Sequence, residues 1–492
     1  MLNSYENYLL ARSFSRSRYH QPMPRPRAVE HYNSFLRGWL TGFSSEGKEL
    51  VAQLDKLSEH EYFPEILFLG VAEVFAKTTL LRCKNVCIVR HSAPVNSARF
   101  SPDGRHVATA SNDNTVTIWE LIAGQWQEKV IIRHTGWVCN ARFSPDGHYL
   151  VTASLDHTAK ICELVDEQWQ ETATIQHYDR VSDASFSPNG RYLVTVSDDQ
   201  TAKIFGLVDG QWQEKAIIQH SGRVNNVSFS PDGRHLVTAA DDVTAQIFGR
   251  VDGQWQEQAT VLNYAWLTNA NFSPNGRYFA TASNDNTITI WRLVDGQWQE
   301  TATIWHSGAV NARFSPDGSH LITVSKDNTI KIFGRVDGQW QENATIRHSG
   351  QVNNIRFSPD GSYLVTASDD CTASIWGLVG SQWQEQITIK HSGQVNNISF
   401  SPDGSHLVTA SGDGTTEIWG VINGHWQKKT MIRQTSWVKG ARFSPDGSQF
   451  VTYAYGNIVK IWLLKSGENN GISPIYNPVL SGSHILPLPK CG

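Results

Sequence analysis

Short runs of alternating apolar and polar residues, each closed by turn residues, fill most of the chain. In one stretch the alternation has the two-residue period of a half-buried strand. It predicts four strands, at Val181–Phe186, Tyr192–Ser197, Thr201–Val208 and Gln211–Gln219. Pro188 and Gly190 suit the turn after the first strand, because proline presets φ and glycine supplies a positive φ. Asp209-Gly210 suits a two-residue hairpin between the third and fourth strands, so the stretch is expected to form one antiparallel sheet.

A recurring signature, Phe-Ser-Pro-Asp/Asn-Gly, marks nine copies of this stretch. The copies are 43 residues apart at every step except one of 42, and the signatures begin at Phe100, Phe143, Phe186, Phe229, Phe272, Phe314, Phe357, Phe400 and Phe443. Aligning Val310–Phe314 with Val352–Phe357 places the residue missing from the shorter step in a first strand. A four-stranded sheet of this size cannot bury both faces alone, so the copies should stack around an axis. The prediction is an all-β propeller of about nine four-stranded blades, with eight blades and a divergent unit as the alternative.

Within each copy the chain resembles the WD-repeat family. The resemblance rests on a His where the fourth strand leads into the next copy, an Asp in the turn after the second strand and a Trp that ends the third. It covers about residues 85–465 and implies a hydrogen-bonded cluster of the His, a strand Ser or Thr, the Asp and the Trp inside each blade. The cluster is complete as His91, Ser111, Asp113, Trp119; as His348, Ser368, Asp370, Trp376; and as His391, Ser411, Asp413, Trp419. Other copies carry Cys162, Phe205, Phe248 or Phe333 for the Trp, Asn263 or Gln434 for the His, and Gly456 for the last Asp.

The two ends of the repeat region predict how the ring closes. The last copy reaches Trp462 but lacks a fourth strand of the Gln-Trp-Gln-Glu type. Cys87–His91 matches Val130–His134, so an N-terminal strand is expected to complete the last blade and remove a free sheet edge. The predicted domains are a disordered basic arm, a small α-helical segment, the propeller and a flexible C-terminal tail, at residues 1–27, 28–84, 85–465 and 466–492.

Composition narrows the function. A net charge of −4 with 18% charged residues offers no bulk attraction to nucleic acid or to an anionic membrane. The six cysteines lack the CxxC spacing of a zinc or redox site. Catalysis needs a convergent set of perturbed groups, whereas the repeats place the same His and Asp in blade after blade. We therefore expect a soluble intracellular protein, most simply cytoplasmic, that binds proteins or peptides and has no catalytic residues, cofactor, metal or small-molecule substrate.

Positions that differ between copies indicate where a partner binds, because the shared positions are used by the fold. In the family that the chain resembles, two variable positions line the top rim of the ring: the residue before each first strand, which is Ala309 in the sixth copy, and the residue before each turn Asp. Trp and Arg are frequent interface hot spots. The candidate partner-binding residues are Trp137, Arg180, Arg223, Trp266, Trp437 and Lys326. The alternative is that these tryptophans pack between blades.

A second tryptophan series starts the fourth strand of eight copies and is expected to be structural. It comprises Trp126, Trp169, Trp212, Trp255, Trp298, Trp340, Trp383 and Trp426. Its fixed place in the repeat favours packing over partner binding.

The segment before the propeller carries a separate resemblance. Phe63–Leu67 and the apolar residues that follow it as far as Val86-Cys87 are similar to an F-box, the helical motif that docks substrate receptors onto cullin-type ubiquitin ligases. By that resemblance the residues facing the ligase adaptor would be Pro64, Ile66, Leu67, Val71 and Leu80. Arg90 stands where an aromatic residue usually closes the motif, and Cys87 is also needed for the closing strand. Two functions follow as hypotheses, a substrate receptor of a ubiquitin ligase and a signalling or assembly platform with no ubiquitin role; helices that only cap the propeller are the alternative for this segment.

Overall fold

The computed structural model describes residues 82–380 and 382–465, and the regular elements in these ranges are all β-strands. They form nine four-stranded antiparallel sheets, which we call blades.

Blades 1 to 8 each consist of four consecutive strands. Blade 1 contains β2 (Val95–Phe100), β3 (His106–Ser111), β4 (Thr115–Ile122) and β5 (Gln125–Arg133). Blade 2 contains β6 (Val138–Phe143), β7 (Tyr149–Ser154), β8 (Thr158–Val165) and β9 (Gln168–Gln176). Blade 3 contains β10 (Val181–Phe186), β11 (Tyr192–Ser197), β12 (Thr201–Val208) and β13 (Gln211–Gln219). Blade 4 contains β14 (Val224–Phe229), β15 (His235–Ala240), β16 (Thr244–Val251) and β17 (Gln254–Leu262).

The second half of the ring repeats the pattern. Blade 5 contains β18 (Leu267–Phe272), β19 (Tyr278–Ser283), β20 (Thr287–Val294) and β21 (Gln297–Trp305). Blade 6 contains β22 (Ala309–Phe314), β23 (His320–Ser325), β24 (Thr329–Val336) and β25 (Gln339–Arg347). Blade 7 contains β26 (Val352–Phe357), β27 (Tyr363–Ser368), β28 (Thr372–Val379) and β29 (Gln382–Lys390). Blade 8 contains β30 (Val395–Phe400), β31 (His406–Ser411), β32 (Thr415–Ile422) and β33 (His425–Arg433).

Blade 3 shows how turn residues define the sheet. Its four strands begin and end at the predicted residues. Asp209 and Gly210 have φ of 49° and 77°, the left-handed conformation that a type I′ hairpin requires. In the turn after β10, the Gly190 N–H donates to the Ser187 carbonyl at 2.9 Å, and the Ser187 hydroxyl accepts the N–H of Tyr192 at 2.9 Å. The turn chemistry of the repeat therefore fixes the strand boundaries.

Second strands form the most buried layer of each blade. All residues of β7 are buried, and successive side chains point to opposite faces of the sheet. Leu150 packs with Ala108 of blade 1, whereas Val151 packs with Val181 of blade 3. Each blade buries both of its faces only by lying between two neighbours, as the repeat logic predicts.

The tryptophans that begin the fourth strands fill the spaces between blades. The Trp169 ring is 6% exposed and lies 5.6 Å from the His106 ring of blade 1 and 5.7 Å from the Phe143 ring of its own blade. Trp383 packs in the same way against His320 and Phe357. The second tryptophan series thus packs as expected of structural residues.

Blade 9 is completed by the N-terminal strand. It pairs β1 (Arg82–Arg90) with β36 (Ile458–Lys465), followed by β35 (Gln449–Ala454) and β34 (Val438–Phe443). Blades 9 and 1 are joined by hydrogen bonds from Trp126 Nε1 to Gln449 Oε1 at 3.0 Å and from Lys439 Nζ to Asn96 Oδ1 at 3.2 Å. The nine-bladed ring and its closing N-terminal strand are confirmed, and the strand begins at Arg82.

First strands of successive blades, such as β14 and β18, lie against each other at the centre of the ring. We call these nine strands the inner strands and the space that they enclose the central channel.

The shortened repeat corrects one prediction. Inner strand β22 has its full length, and it pairs Ala309 with Ser325 just as β26 pairs Val352 with Ser368. The missing residue therefore belongs to the loop before β22 and not to the strand. A deletion within a strand would turn its buried side chains to the opposite face, whereas a loop absorbs the loss. Gly308, not Ala309, is the residue that precedes this strand.

Several predictions fall on residues that the structure does not describe. The basic arm, residues 28–81 of the predicted helical segment, the C-terminal tail and the candidate adaptor residues Pro64, Ile66, Leu67, Val71 and Leu80 lie outside the described ranges. The last three residues of the predicted helical segment, 82–84, belong instead to strand β1. The end of the F-box resemblance lies inside the described ranges, and there Val86-Cys87 belongs to strand β1. Within 82–380 and 382–465 no helix is long and apolar enough to cross a membrane. The same ranges hold no group of His, Cys, Asp and Glu arranged to bind a metal ion.

Candidate functional site

The two variable positions of the repeat meet along one edge of the ring. In blade 2 the Leu155 N–H donates to the Trp137 carbonyl at 2.8 Å, and in blade 5 the Asn284 N–H donates to the Trp266 carbonyl at 2.9 Å. We call this edge the top rim; it carries the loops that enter the inner strands and the turns after the second strands. In blade 6 the same bond joins the Lys326 N–H to Gly308 at 2.9 Å, which again replaces Ala309 at this position.

Three rim tryptophans are open to solvent. Trp137, Trp266 and Trp437 are 54%, 58% and 55% exposed. The Trp437 ring makes a T-shaped contact with the Tyr455 ring, with the ring centroids 5.9 Å apart. This exposure argues against the alternative that the three rings pack between blades, because a buried ring such as Trp169 is almost fully covered.

Charged residues lie between these aromatic rings. Arg180, Arg223 and Lys326 are exposed. Arg223 Nε lies 3.4 Å from Asp241 Oδ2, and Lys326 Nζ donates to Asn284 Oδ1 at 3.2 Å. These surface contacts are weak and can be exchanged for contacts with a partner.

Two further aromatic residues were missed by sequence reasoning. Tyr178 and Tyr264 are 92% and 97% exposed, on the loops that enter blades 3 and 5. Their backbone N–H groups donate to Asp199 and Asp285 at 2.9 and 3.1 Å, so the loops are held while the rings project outward. Most other copies carry Ser or Thr at this position, and that difference was the available signal.

A hydrogen-bonded cluster beneath the rim holds these loops in place. In blade 3, His177 Nδ1 lies 2.9 Å from Asp199 Oδ2, and His177 Nε2 lies 2.8 Å from Thr195 Oγ1. A carboxylate can only accept, so Nδ1 carries the proton and Nε2 accepts the Thr195 hydroxyl. Asp199 also accepts the N–H of Tyr178, which ties the rim loop to the core of the blade.

Burial and hydrogen bonding set the ionisation of this cluster. Burial lowers the pKa of His177, which favours the neutral ring. Burial alone would raise the pKa of Asp199, but hydrogen bonds from Thr201, Tyr178 and His177 outweigh it and lower the pKa to about 2. The pair is therefore a neutral imidazole beside a carboxylate, an arrangement suited to holding a loop.

The predicted cluster lacked one hydroxyl, that of a threonine of the second strand. In blade 1, His91 contacts Asp113 as expected, at 2.8 Å, but its Nε2 faces Thr109 at 2.8 Å. Ser111 donates to the Ala93 carbonyl at 3.0 Å and accepts the backbone N–H of Asp113 at 3.1 Å. Blades 7 and 8 repeat this difference, with Thr366 and Thr409 facing the His while Ser368 and Ser411 donate to the loop. The two positions share a face of the strand, and only the threonine is deep enough to reach the imidazole.

In the part of the chain that the structure describes, the tryptophans of the predicted clusters make no hydrogen bond with the His–Asp pair. Among the described residues, the indole N–H groups of Trp119 and Trp376 have no hydrogen-bond partner. Trp419 donates to Glu417 at 3.0 Å. In blade 9, where Gln434 replaces the His, Trp462 donates to Thr452 at 2.9 Å, and Thr452 also accepts from Gln434 at 3.0 Å. These tryptophans contribute mainly by packing.

Comparison with known proteins agrees with this geometry. The family model described as WD domain, G-beta repeat matches residues 82–120, 126–163, 169–206, 212–245, 258–292, 298–334, 340–377, 383–420 and 424–462. No curated protein matches the chain.

Solved structures with a similar fold include Sqt1 of Chaetomium thermophilum. Sqt1 bound to the N-terminus of the ribosomal protein L10 is 19% identical with a TM-score of 0.53, and the match covers 65% of this chain and 95% of that one. A second structure of Sqt1 is 16% identical with a TM-score of 0.54, and the match covers 78% of this chain and 99% of that one. At these identities the likeness shows the fold alone.

Proposed function

The chain belongs to the WD-repeat family of β-propellers, and we propose that it is a non-catalytic scaffold that holds a partner protein on its top rim. The observation that carries the proposal is the exposure of Trp137, Trp266 and Trp437 along one edge. Covering apolar surface stabilises by roughly 25 cal/mol per Å², so three open indoles are natural anchors for a partner. Tryptophan is also among the residues most often found as interface hot spots.

We place the centre of the interface on blade 5. Tyr264 and Trp266 share the loop that enters this blade, and Leu262, 73% exposed, ends the strand before it. Lys326 of blade 6 reaches Asn284 of blade 5 and adds a positive charge at the border of this patch. Aromatic anchors beside a charged residue are the usual composition of an interface hot spot.

The proposed partner presents a short peptide segment rather than a large flat surface. The anchors lie on separate loops of a ring, and an extended segment can contact several loops at once. Sqt1, which has the same fold, was solved with the N-terminus of a ribosomal protein bound. That complex supports the proposal that the ligand of this protein is a segment of a polypeptide chain.

A paired-variant experiment tests the rim. The double variant Tyr264→Ala/Trp266→Ala removes two exposed rings, and Ile217→Ala removes an exposed apolar side chain from the outer strand β13 as the matched control. Quantitative pull-downs from the native source should lose specific partners with the double variant and keep them with the control, at unchanged melting temperatures. Retention of every partner by the double variant would contradict the rim proposal, as would a loss explained by unfolding.

The finer hypothesis, a substrate receptor of a ubiquitin ligase, is supported by the F-box resemblance alone. It predicts that the full chain co-purifies with a recombinant ligase adaptor, and that Ile66→Ala/Leu67→Ala abolishes this while rim binding persists. Absence of adaptor binding at micromolar concentration would leave the platform without a ubiquitin role.

A further inference from the structure

Five arginines occupy one level of the central channel. They stand at the fifth position of six-residue inner strands and are Arg99, Arg142, Arg313, Arg356 and Arg442. The other four inner strands carry Ser or Asn at this position. Since the inner strands surround the axis, side chains from blades that are far apart in the ring approach one another here.

A cavity opens beside these arginines at one mouth of the channel. It has a volume of about 410 Å³, and its wall includes Arg99, Arg356 and Arg442 together with the prolines of the turns after the inner strands. Residues from blades 1, 6, 7, 8 and 9 share this single space. The cavity is large enough for a small organic anion and too small for a folded partner.

Most of the channel arginines have no counter-ion. Arg142 Nη2 lies 2.8 Å from Asp183 Oδ2. Among the residues that the structure describes, the guanidinium groups of Arg99, Arg313, Arg356 and Arg442 make no ion pair, and the Nε of Arg99 is buried without a hydrogen-bond partner. Buried polar groups are normally satisfied, so these orphaned donors need an explanation.

Electrostatics show that the arginines act on one another. The pKa of Arg99 is lowered to about 9, mainly by burial and further by the nearby charges of Arg442 and Arg142. The pKa of Arg356 is lowered to about 10, mainly by burial and further by the positive charges of Arg313 and Arg442. Both pKa values lie above neutral pH, so Arg99 and Arg356 stay charged in the folded ring.

The sequence of the inner strands makes the imbalance clear. Their nine segments contain five arginines and Lys439 against the single carboxylate of Asp183, although the whole chain carries a net charge of −4. Among the residues that the structure describes, the aspartates of the neighbouring turns form no ion pair with the channel arginines. Asp103, for example, accepts hydrogen bonds from the Ser101 hydroxyl at 2.5 Å and the Arg105 N–H at 3.0 Å within its own turn.

We propose that the channel arginines form a binding site for a small multivalent oxyanion of the phosphate class. Guanidinium groups bind phosphate oxygens through paired, charge-assisted hydrogen bonds. A ligand with several phosphate groups can reach arginines from opposite blades, whereas a single phosphate neutralises only part of the excess charge. The bound anion stabilises the ring, and it is a different ligand from the protein held on the top rim.

Binding of tripolyphosphate to the full chain, measured by calorimetry, tests the site. We expect saturable binding of one anion per chain and a higher melting temperature. Arg99→Gln/Arg356→Gln should weaken the affinity roughly tenfold or more, because each lost charge-assisted contact is worth about that factor. Arg133→Gln/Arg347→Gln, which removes the same charge from exposed ends of fourth strands, is the matched control and should bind like the unaltered protein.

A second measurement separates a ligand site from a structural role. Without the anion, Arg99→Gln/Arg356→Gln should melt at the same or a higher temperature, because it relieves repulsion. A marked fall would mean that the arginines support the fold, and would overturn the proposal. Equal loss of affinity in the control variant, or saturation by citrate or an oligoglutamate peptide but not by tripolyphosphate, would also overturn it.

Discussion

Replacing Thr195 with valine should destabilise blade 3 by about 1 to 3 kcal/mol, the cost of leaving a buried acceptor without its donor. Thr195 is buried, and its hydroxyl lies 2.8 Å from His177 Nε2. Valine has nearly the same shape, so the substitution opens no cavity. The His177 side chain has no exposed surface, which keeps water from replacing the lost hydroxyl.

The neighbouring serine provides the control. The Ser197 hydroxyl donates to the Asp179 carbonyl and accepts the Asp199 N–H, both at 3.1 Å. Blades 4 and 9 nevertheless have alanine at this position, Ala240 and Ala454. We therefore expect Ser197→Ala to cost less than about 1 kcal/mol.

Urea denaturation combined with hydrogen exchange of blade 3 amides measures both changes, since exchange reports local as well as global opening. The loss of stability caused by His177→Gln should fall between the losses caused by Thr195→Val and Ser197→Ala. In blade 9, where the His is absent, Gln434 donates to Thr452 at 3.0 Å and so replaces part of the cluster. A larger loss for Ser197→Ala than for Thr195→Val would refute the assignment of the threonine to the cluster.

Other perturbations test the packing, the ionisation and the closure of the ring. Trp169→Ala should cost about 3 to 5 kcal/mol in urea denaturation by opening a cavity between blades 1 and 2, whereas Trp137→Ala on the rim should stay within about 0.5 kcal/mol. The pKa values of Asp156 and Asp199 are lowered to about 2 in the folded chain, against about 3.9 when unfolded. Their contribution is therefore present above about pH 4 and lost as the pH falls through about 2, so urea titrations at pH 7 and pH 3 should differ, and equal stabilities would contradict the hydrogen-bond geometry. Val89→Asp places a carboxylate in the apolar contact of the closing strand, and limited proteolysis should then release the N-terminal strand, which the unaltered ring protects.

The strands and the closure could be predicted because their determinants are local and repeated. Asp209-Gly210 specifies a hairpin by its own backbone preference, whatever the rest of the chain does. The match between Cys87–His91 and Val130–His134 identifies the closing strand without any knowledge of its partner. Nine copies of each signal leave little room for a competing fold.

The errors arose where two neighbouring positions satisfied the same pattern. The threonine and the serine of the second strand are two residues apart and face the same side, so only depth distinguishes them. Threonine is present in all nine copies and serine in seven, and this count favoured Thr109 over Ser111. Alignment likewise left open whether the shortened repeat lacks a residue in its first strand or in the loop before it. The pairing of Ala309 with Ser325 places the missing residue in the loop.

The rim tyrosines and the channel arginines could not be predicted because their meaning depends on the ring. Whether Arg99 and Arg356 face each other depends on how many blades close the circle and which strand is innermost. Both features occupy positions where copies differ, and the fold accepts Ser or Asn in place of Arg in four blades. Since the fold does not require arginine there, four arginines without an ion pair in the channel are better explained by a ligand than by folding. The rim and the channel are thus separable surfaces: substitutions in one should leave binding at the other unchanged.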